Sequence, residues 1–475
     1  MIKESDLPLG LTYDDVLLVP QYSDIQSRKQ INISAQFSKN IALNMPIVSA
    51  NMDTVTESKM AIAMALEGGI GVIHRFLTID EQVAEVKKVK RSQNLIIEDP
   101  IFISKEATLG EAMEVMKQNN ISGLLVCDKN KKIEGILTGR DVRFKTNFNL
   151  KVKDVMTPKS KLITVSRADS KKALGIFDKY KIEKLPLVDA KGKLAGLITA
   201  SDFKKTQEHL YAAKDIEGQL LVGAAVGVKD GLERGRALVE AGADALVIDI
   251  AHGHHHKCIE LTKELKKRFK KVDIVAGNVA TRLGAEDLIK AGADAIKVGI
   301  GPGAACSTRI VAGSGVPQFS AILDIAPVCK KAGVAVIADG GVRTSGDVAK
   351  AIAGGASTVM IGNLFAGSLE SPGEYYIEGG SAFKVYRGLA SREASRDRQE
   401  VDKNPEREDR APEGISYKVT YKGEVSKITR LLVDGLQSGM SYTGARNIAE
   451  FWEKARFIRM TEAGFKESLP RSHQM

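Results

Sequence analysis

The sequence predicts an α/β protein: a parallel (β/α)8 barrel of the TIM type, interrupted by a second, smaller module. Short apolar runs alternate with amphipathic segments from about residue 41 to 75, and again from about 218 to 369. This alternation is the pattern of repeated strand–helix units. Several runs end in Asp, Asn or Gly, as barrel strands do where they enter functional loops. An internal repeat between the two regions predicts the second module.

The apolar runs that we interpret as barrel strands follow one another along both regions. They are residues 46–50, 245–249, 273–277, 295–299, 334–339 and 358–362. Segments such as 282–290 lie between them and have the spacing of amphipathic helices. Because all strands of a parallel barrel end on the same face, we expect the chemistry at their carboxyl ends.

The middle of the chain repeats itself. Residues 121–141 align without gaps with residues 182–202, at an offset of 61 residues. We therefore assign residues 94–208 to the inserted module, and residues 1–93 and 209–475 to the barrel. The repeat pairs two polar positions of each copy: Thr138 with Thr199, and Asp141 with Asp202.

Composition and charge narrow the classes of partner. The 475 residues carry a formal net charge of +10, but the lysines are spread along helical faces and aromatic residues make up only 5%. A nucleic-acid ligand is therefore not expected, since stacking on bases needs aromatic side chains. No apolar run approaches the ~20 residues that span a membrane, and no signal-peptide pattern is present. We expect a cytoplasmic protein.

The cysteines and histidines lack the spacing of a metal site. The cysteines, which form no CxxC pair, are Cys127, Cys258, Cys306 and Cys329. Such spacing argues against a zinc site or a disulfide framework. Residues 252–256 read HGHHH, but consecutive histidines on a loop cannot all face one ion. We do not expect them to bind a metal.

Residues 299–308, GIGPGAACST, form a glycine-rich loop directly after a predicted strand. Glycines bring the backbone close to a ligand, and here they lead to Cys306. A thiol at the end of a barrel strand is well placed for a nucleophile. The alternative is a buried cysteine beside a tight turn. The surrounding sequence favours the nucleophile.

Residues 391–416 are almost entirely polar or charged and have no apolar periodicity. This composition predicts a mobile loop or disorder. Long loops without regular structure in compact enzymes are often lids over the active site. We therefore predict a mobile flap at about residues 389–416.

Blocks along nearly the whole chain resemble the IMP dehydrogenase/GMP reductase family. The longest is GIGPGAACSTRIVAGSGVPQ at 299–318, and further blocks occur in the family's order at 11–20, 49–56, 68–74, 276–281, 337–341 and 386–388. The internal repeat resembles a pair of CBS repeats, the Bateman module that senses adenine or guanine nucleotides. The alternative for the insert is a packed module that binds no ligand.

The resemblance implies an oxidoreductase that acts at C2 of a 6-oxopurine nucleotide. Cys306 would add to C2 as a thiolate, with hydride exchanged with NAD or NADPH. Thr308 and Glu413 match the family's proton-transfer pair. Arg398 is the residue that best matches the arginine of the Arg-Tyr pair with which dehydrogenases activate water.

The resemblance also implies binding residues. Those for the substrate, GMP or IMP, are Ser49, Asn278, Asp339, Gly341, Gly362, Asn363 and Tyr386. Those for the nicotinamide cofactor are Asp249, Gly299 and Gly301. The carbonyls of a monovalent-cation site, suited to K⁺, are Gly301, Gly303 and Cys306. Those for ATP or GTP in the insert are Thr138, Asp141, Thr199 and Asp202. Family members assemble as homotetramers or octamers.

The sequence favours the reductase branch. No tyrosine lies between Tyr386 and Tyr417, and Gln399 follows Arg398 where the dehydrogenases have tyrosine. A GMP reductase, which converts GMP and NADPH to IMP and ammonia, needs no attacking water. The segments 310–313 and 249–252 favour the alternative, an IMP dehydrogenase that oxidises IMP to XMP with NAD. Ala304 and Ser307 stand where the family usually has Ser and Thr. A remote alternative is a nucleotide-binding protein without catalysis.

Overall fold

The computed structural model describes residues 7–92, 97, 100–119, 121–166, 172–200, 209–402 and 411–470, without the side chains of 174 and 398–402. The chain divides into two compact units. One consists of Met1–Ser92 together with Tyr211–Met475, and the other is Gln93–Leu210. Within the described ranges, no helix is long and apolar enough to cross a membrane.

The first unit contains a closed barrel of eight parallel strands, which confirms the predicted fold class. Each strand pairs with the next in chain order, and β8 pairs with β1. The strands are β1 Ile47–Ser49, β2 Ile70–Ile73, β3 Val222–Val226, β4 Ala245–Ile248, β5 Asp273–Val279, β6 Ala295–Val298, β7 Ala335–Asp339 and β8 Thr358–Ile361.

One long helix follows each barrel strand. These are α1 Ser58–Leu66, α2 Ile79–Arg91, α3 Gly231–Glu240, α4 His256–Arg268, α5 Arg282–Lys290, α6 Gln318–Ala332, α7 Ser345–Ala353 and α8 Val425–Tyr442. Local signals set several starts: Thr78 before α2 and Thr344 before α7 each form a capping box with an acidic residue three positions on. Such caps satisfy backbone N–H groups that would otherwise lack partners.

Alternate residues of each barrel strand enter two separate cores. On β4, Leu246 and Ile248 pack with the surrounding helices, whereas Ala245 and Val247 fill the barrel interior. This division follows from the two-residue period of a strand. The strand residues are buried on both sides, which explains why the sequence shows continuous apolar runs.

Shorter elements complete the first unit. An antiparallel sheet joins Tyr376–Glu378, Ser381–Arg387 and Ser416–Thr420. Two further pairs are Val16–Leu18 with Phe457–Arg459, and Ala35–Gln36 with Ala42–Leu43. The short helices are Tyr13–Asp15, Arg28–Gln30, Thr308–Val311, Asn363–Ala366, Ile448–Lys454 and Glu462–Glu467.

The predicted flap contains regular structure, contrary to the expectation of an irregular segment. Arg392–Asp402 forms an α-helix. The backbone N–H of Ala394 donates to Ser391 Oγ at 3.2 Å, and the Ala394 side chain is buried. The Nη2 atom of Arg387 pairs with Asp397 Oδ2 at 2.6 Å. The segment is rich in good helix formers, and these tertiary contacts stabilise a helix that its composition does not reveal.

The second unit shows the repeat in its strands. Gly123–Cys127 pairs with Ile133–Thr138, and Lys184–Val188 pairs with Leu194–Thr199. Each strand of the second copy lies 61 positions after its counterpart, which is the offset of the sequence repeat. The first pair belongs to a four-stranded sheet with Phe102–Ile103 and Thr157–Pro158. The helices are Leu109–Gln118, Gly139–Val142, Val152–Asp154, Lys159–Lys161 and Ala173–Tyr180.

Candidate active site

A cleft of about 1110 Å³ opens at the carboxyl ends of the barrel strands. Its walls come from the loops after the strands and from the segment that follows Tyr386. Most residues that the sequence indicated as catalytic or binding line this one cleft. They are Asp249, Asn278, Gly299, Gly301, Gly303, Cys306, Thr308, Asp339, Gly341, Gly362, Asn363, Tyr386 and Glu413.

Cys306 is the exposed cysteine of the chain. Its Sγ lies 3.2 Å from Thr308 Oγ1, within hydrogen-bonding distance. The other three cysteines are buried. Burial raises the pKa of the Cys127 and Cys258 thiols to about 11 and that of Cys329 to about 12. A buried thiol with a raised pKa is a poor nucleophile at neutral pH, so Cys306 is the thiol available for chemistry.

The segment around Glu413 lies directly against the Cys306 loop. The backbone N–H of Ser307 donates to the Glu413 carbonyl at 3.0 Å, and Ile415 N–H donates to the Ala305 carbonyl at 3.0 Å. Residue 388 also lies against the Cys306 loop and must be a glycine, because a Cβ there would lie 2.7 Å from the Ala305 carbonyl oxygen. These bonds bring residues about 107 positions apart, Cys306 and Glu413, to the same cleft wall.

A buried lysine, which the sequence analysis did not select, holds two predicted site residues together. Lys297 Nζ donates to Asp339 Oδ2 at 2.8 Å and also to Asn278 Oδ1. Asn278 Nδ2 donates to the same Asp339 Oδ2 at 2.8 Å. The signal available in the sequence is a charged residue inside an apolar barrel strand, because such a residue is almost never buried without a partner.

The loops after β7 and β8 expose backbone to the cleft. Gly340 and Gly341 have φ values of +99° and +82°, which side chains rarely tolerate. A Cβ at Gly362 would lie 2.9 Å from the hydroxyl of Tyr386, which itself is buried. Burial raises the pKa of Tyr386 above its usual range, so its hydroxyl stays protonated and can donate a hydrogen bond. Asn363 Nδ2 donates to Tyr417 Oη at 2.7 Å.

An ion pair lies at the end of β4. Arg75 Nε donates to Asp249 Oδ2 at 2.6 Å, and both side chains are nearly buried. Arg75 was not selected from the sequence. Its positive charge compensates the Asp249 carboxylate, which accepts its hydrogen bond at the cleft wall.

Comparison with known proteins identifies this fold and cleft. Residues 10–471 match the IMP dehydrogenase / GMP reductase domain. The chain belongs to this family. It is 50% identical to the inosine-5'-monophosphate dehydrogenase of Nitrosopumilus maritimus, covering 97% of this chain and 98% of the relative. It is also 48% identical to the GMP reductase of Leishmania major, covering 97% and 96%.

A solved structure agrees over the same length. A cysteine-to-alanine variant of the GMP reductase of Trypanosoma brucei, in complex with guanosine 5'-monophosphate, superposes with a TM-score of 0.91 at 45% identity. The match covers 98% of both chains. Members of the family are NAD(P)-dependent oxidoreductases, and this chain is one of them.

One residue predicted for the site does not line the cleft, and two other predicted residues are not fully described. Ser49 is fully buried and its Oγ accepts a bond from Thr56 Oγ1 at 2.9 Å, so it does not line the cleft. Its neighbour Ala50 does. The side chain of Arg398 and the whole of Asp202 lie outside the described residues.

In the second unit, Thr138 and Asp141 contact each other. Thr138 Oγ1 donates to Asp141 Oδ2 at 2.7 Å, and together they form a capping box at the start of Gly139–Val142. Thr199 ends the strand at the equivalent position of the second copy. The pair of residues therefore has a local role in addition to the predicted nucleotide contact.

The histidine run is divided among separate contacts. His254 Nε2 lies 3.1 Å from Asp287 Oδ2, and His255 caps α4 by accepting from Lys257 N–H. The described residues contain no group of three His, Cys, Asp or Glu side chains able to hold a metal ion. In the predicted cation loop, the Gly303 carbonyl already accepts from Cys306 N–H at 3.0 Å.

Proposed function

We propose that this protein is a GMP reductase, which converts GMP and NADPH to IMP, NADP⁺ and ammonia. The observation that carries the choice within the family is the absence of tyrosine between Tyr386 and Tyr417, with Gln399 after Arg398. Without the Arg-Tyr pair, the flap lacks the groups that would activate water for a dehydrogenase. The likeness to GMP reductases of Leishmania and Trypanosoma along the full chain supports the same choice.

In this mechanism the Cys306 thiolate attacks C2 of the guanine ring. The C2–N bond to the exocyclic amino group then breaks, and ammonia leaves. When bound, the nicotinamide cofactor supplies the hydride that forms the new C2–H bond as the C2–S bond breaks. The thiolate is regenerated and IMP is released. Holding the purine against Sγ supplies the proximity that the attack requires.

Thr308 and Glu413 move the proton that the amino group needs to leave as ammonia. Thr308 Oγ1 is 3.2 Å from Cys306 Sγ, so its hydroxyl lies beside the reacting carbon. Glu413 lies on the same cleft wall through the backbone bonds of its segment. A carboxylate that relays a proton through a hydroxyl is a general acid–base arrangement.

The remaining cleft residues bind the nucleotide. Asp339 accepts the ribose hydroxyls, because a carboxylate offers only acceptors and a diol offers two donors. Gly341, whose backbone is left-handed, and Gly362 present backbone N–H groups to the phosphate, and such N–H groups form an anion-binding concavity. Tyr386 and Asn363 complete this wall. Ser49 does not contact the nucleotide in this arrangement and instead supports its neighbour Ala50.

The cleft also fits a nicotinamide dinucleotide. Its volume of about 1110 Å³ exceeds the ~300–1,000 Å³ of sites that hold one small molecule. Asp249, which is paired with Arg75, would accept hydroxyls of the nicotinamide ribose. Gly299 and Gly301, which line the cleft, would contact the cofactor through their backbone.

IMP dehydrogenase is the second candidate. The 50% identity to the Nitrosopumilus enzyme and the dehydrogenase-like segments 249–252 and 310–313 favour it. The two candidates differ in one step, the hydrolysis of the Cys306 adduct. That step depends on flap residues rather than on the barrel.

Absorbance at the NADPH band distinguishes the two reactions. Purified protein is mixed with GMP and NADPH, and separately with IMP and NAD. We expect sustained NADPH consumption with ammonia release in the first mixture. Sustained XMP formation in the second mixture, without NADPH consumption in the first mixture, would overturn the proposal. Repeating both with NADH and NADP identifies the preferred cofactor.

Three properties of the assembly belong to the same proposal. The second unit is a CBS pair that binds ATP or GTP near Thr138, Asp141 and Thr199. The carbonyls of Gly301, Gly303 and Cys306 bind K⁺ during turnover, and replacing KCl with LiCl tests this. The protein forms a homotetramer or octamer, which light scattering with and without ATP or GTP measures.

A further inference from the structure

Lys297 has no role in the chemistry proposed above, although it lies at the cleft. It occupies an apolar barrel strand, and only 4% of its side chain is exposed. An ammonium is costly to bury unless charged or polar partners compensate it. Its placement in the barrel interior therefore depends on the two acceptors that it contacts.

The contacts of Lys297 join the ends of three adjacent barrel strands. Asn278 lies on β5, Lys297 on β6 and Asp339 at the end of β7. Asn278 Nδ2 donates both to Asp339 Oδ2 and to the Gly299 carbonyl, each at 2.8 Å. The three side chains form a closed triangle of hydrogen bonds, which fixes their orientation.

This triangle uses only one oxygen of the carboxylate. Lys297 and Asn278 both donate to Asp339 Oδ2, and Oδ1 makes no hydrogen bond to any described residue. The Asp339 side chain is 22% exposed and lines the cleft. One oxygen is thus held by the protein, while the other remains available to a ligand.

We propose that Lys297 is the positioning residue for ribose recognition: it holds Asp339 so that Oδ1 is available to the diol of the nucleotide. The inference rests on the proposed role of Asp339 as the ribose ligand. A carboxylate fixed in advance loses little conformational freedom when the nucleotide binds.

The test compares binding of GMP with binding of its 2′,3′-dideoxy analogue by calorimetry. Lys297→Met keeps the length of the side chain and removes the ammonium. We expect it to weaken GMP binding about tenfold or more, since hydrogen bonds to a charged group are lost. Binding of the dideoxy analogue should change less than about twofold, because that ligand lacks the hydroxyls that donate hydrogen bonds to Asp339.

Lys266→Met is the matched control. Lys266 Nζ pairs with Asp294 Oδ2 at 2.5 Å, another lysine–aspartate pair of the same barrel, in which the aspartate is buried and the lysine is partly exposed. Asp294 precedes β6, at the amino end of the strand and away from the cleft. This variant should bind both ligands as the wild type does.

A double-mutant cycle separates positioning from general damage. With Asp339→Asn already present, adding Lys297→Met should weaken GMP binding by less than about twofold, because the carboxylate to be positioned is gone. Equal weakening of GMP and the dideoxy analogue by Lys297→Met would overturn the role of Lys297, as would unchanged GMP binding. Should Lys297→Met fail to fold, Lys297→Gln takes its place under the same criteria. Wild-type protein that binds neither GMP nor IMP would instead overturn the proposed function.

Discussion

At the residue scale, the reactivity of the site depends on how one thiol differs from three others. Cys306 is exposed beside the Thr308 hydroxyl, whereas Cys127, Cys258 and Cys329 are enclosed in apolar surroundings that raise their pKa. A thiol with a raised pKa stays protonated at neutral pH and reacts slowly, since the thiolate is the nucleophile. The same chemical group is therefore exposed in the cleft at Cys306, where we propose that it is the nucleophile, and enclosed at the other three positions.

Cys306→Ala should abolish turnover while GMP affinity stays within about tenfold of wild type, because ribose and phosphate contacts remain. Steady-state assays and calorimetry measure the two effects. Cys329→Ala is the control, since its thiol is buried and does not line the cleft; it should retain most of the activity. Turnover by Cys306→Ala at wild-type rates would contradict the assignment of the nucleophile.

At the element scale, we propose that the segment after β8 determines which reaction is completed. The helix Arg392–Asp402 is anchored by the Arg387–Asp397 ion pair, and Arg387 in turn binds Asp53 in the loop after β1. Residues 413–415 are bonded to the Cys306 loop. The flap is thus attached to the barrel at both ends, and its own side chains decide whether water is activated.

Given IMP and NAD, the protein should release a burst of NADH close to one per active site and then stall. Cys306 suffices for hydride transfer, but hydrolysis of the adduct lacks the groups that typically accelerate such a step about 10²–10⁴-fold. Stopped-flow absorbance measures the burst and chromatography measures XMP.

Sustained XMP production at ordinary dehydrogenase rates would contradict the reductase assignment and indicate Arg398 as a base that works without its tyrosine. Arg398→Ala then distinguishes the cases: loss of XMP formation with an unchanged burst would establish that role. Arg396→Ala, two positions earlier on the same helix, is the control for a general loss of flap charge.

At the scale of the whole molecule, the chain separates catalysis from the inserted unit. Cys306, Glu413, Asp339 and the other cleft residues all lie in the unit formed by Met1–Ser92 and Tyr211–Met475. The ends of the insertion are close in that unit, since Lys90 Nζ pairs with Asp215 Oδ2 at 3.0 Å. The barrel can therefore be closed across the insertion point by a short linker.

Replacing 93–210 with a short glycine linker should leave basal GMP reduction within a few-fold of wild type and remove any response to ATP or GTP. The physical reason is that none of the described residues of the removed segment lines the cleft. Activity with and without each nucleotide, together with a circular-dichroism melt, measures the outcome. A folded but inactive barrel would show that the second unit contributes to the site.

The barrel, its insertion and the position of the nucleophile could be predicted because their signals are local. Strand and helix periods repeat along the chain, the two copies of the insert align at a fixed offset, and the glycine loop surrounds Cys306. The flap helix could not be read in this way. It has no apolar periodicity to indicate a helix, and the Arg387 that pairs with Asp397 is itself held by Asp53, which lies 334 positions away in the sequence.

The sequence by itself determined the barrel, the family and the residues around the thiol, since these depend on period, composition and neighbouring residues. Only the tertiary structure decided which side chains act together. Lys297, Asn278 and Asp339 meet because three strands end at one face, and Ser49 is withdrawn because Thr56 donates to its hydroxyl outside the barrel interior. The physical reason is that the energy of a buried charge or hydroxyl depends on its partners in space. Such partners can lie far apart in the sequence, so the order of residues along the chain does not reveal them.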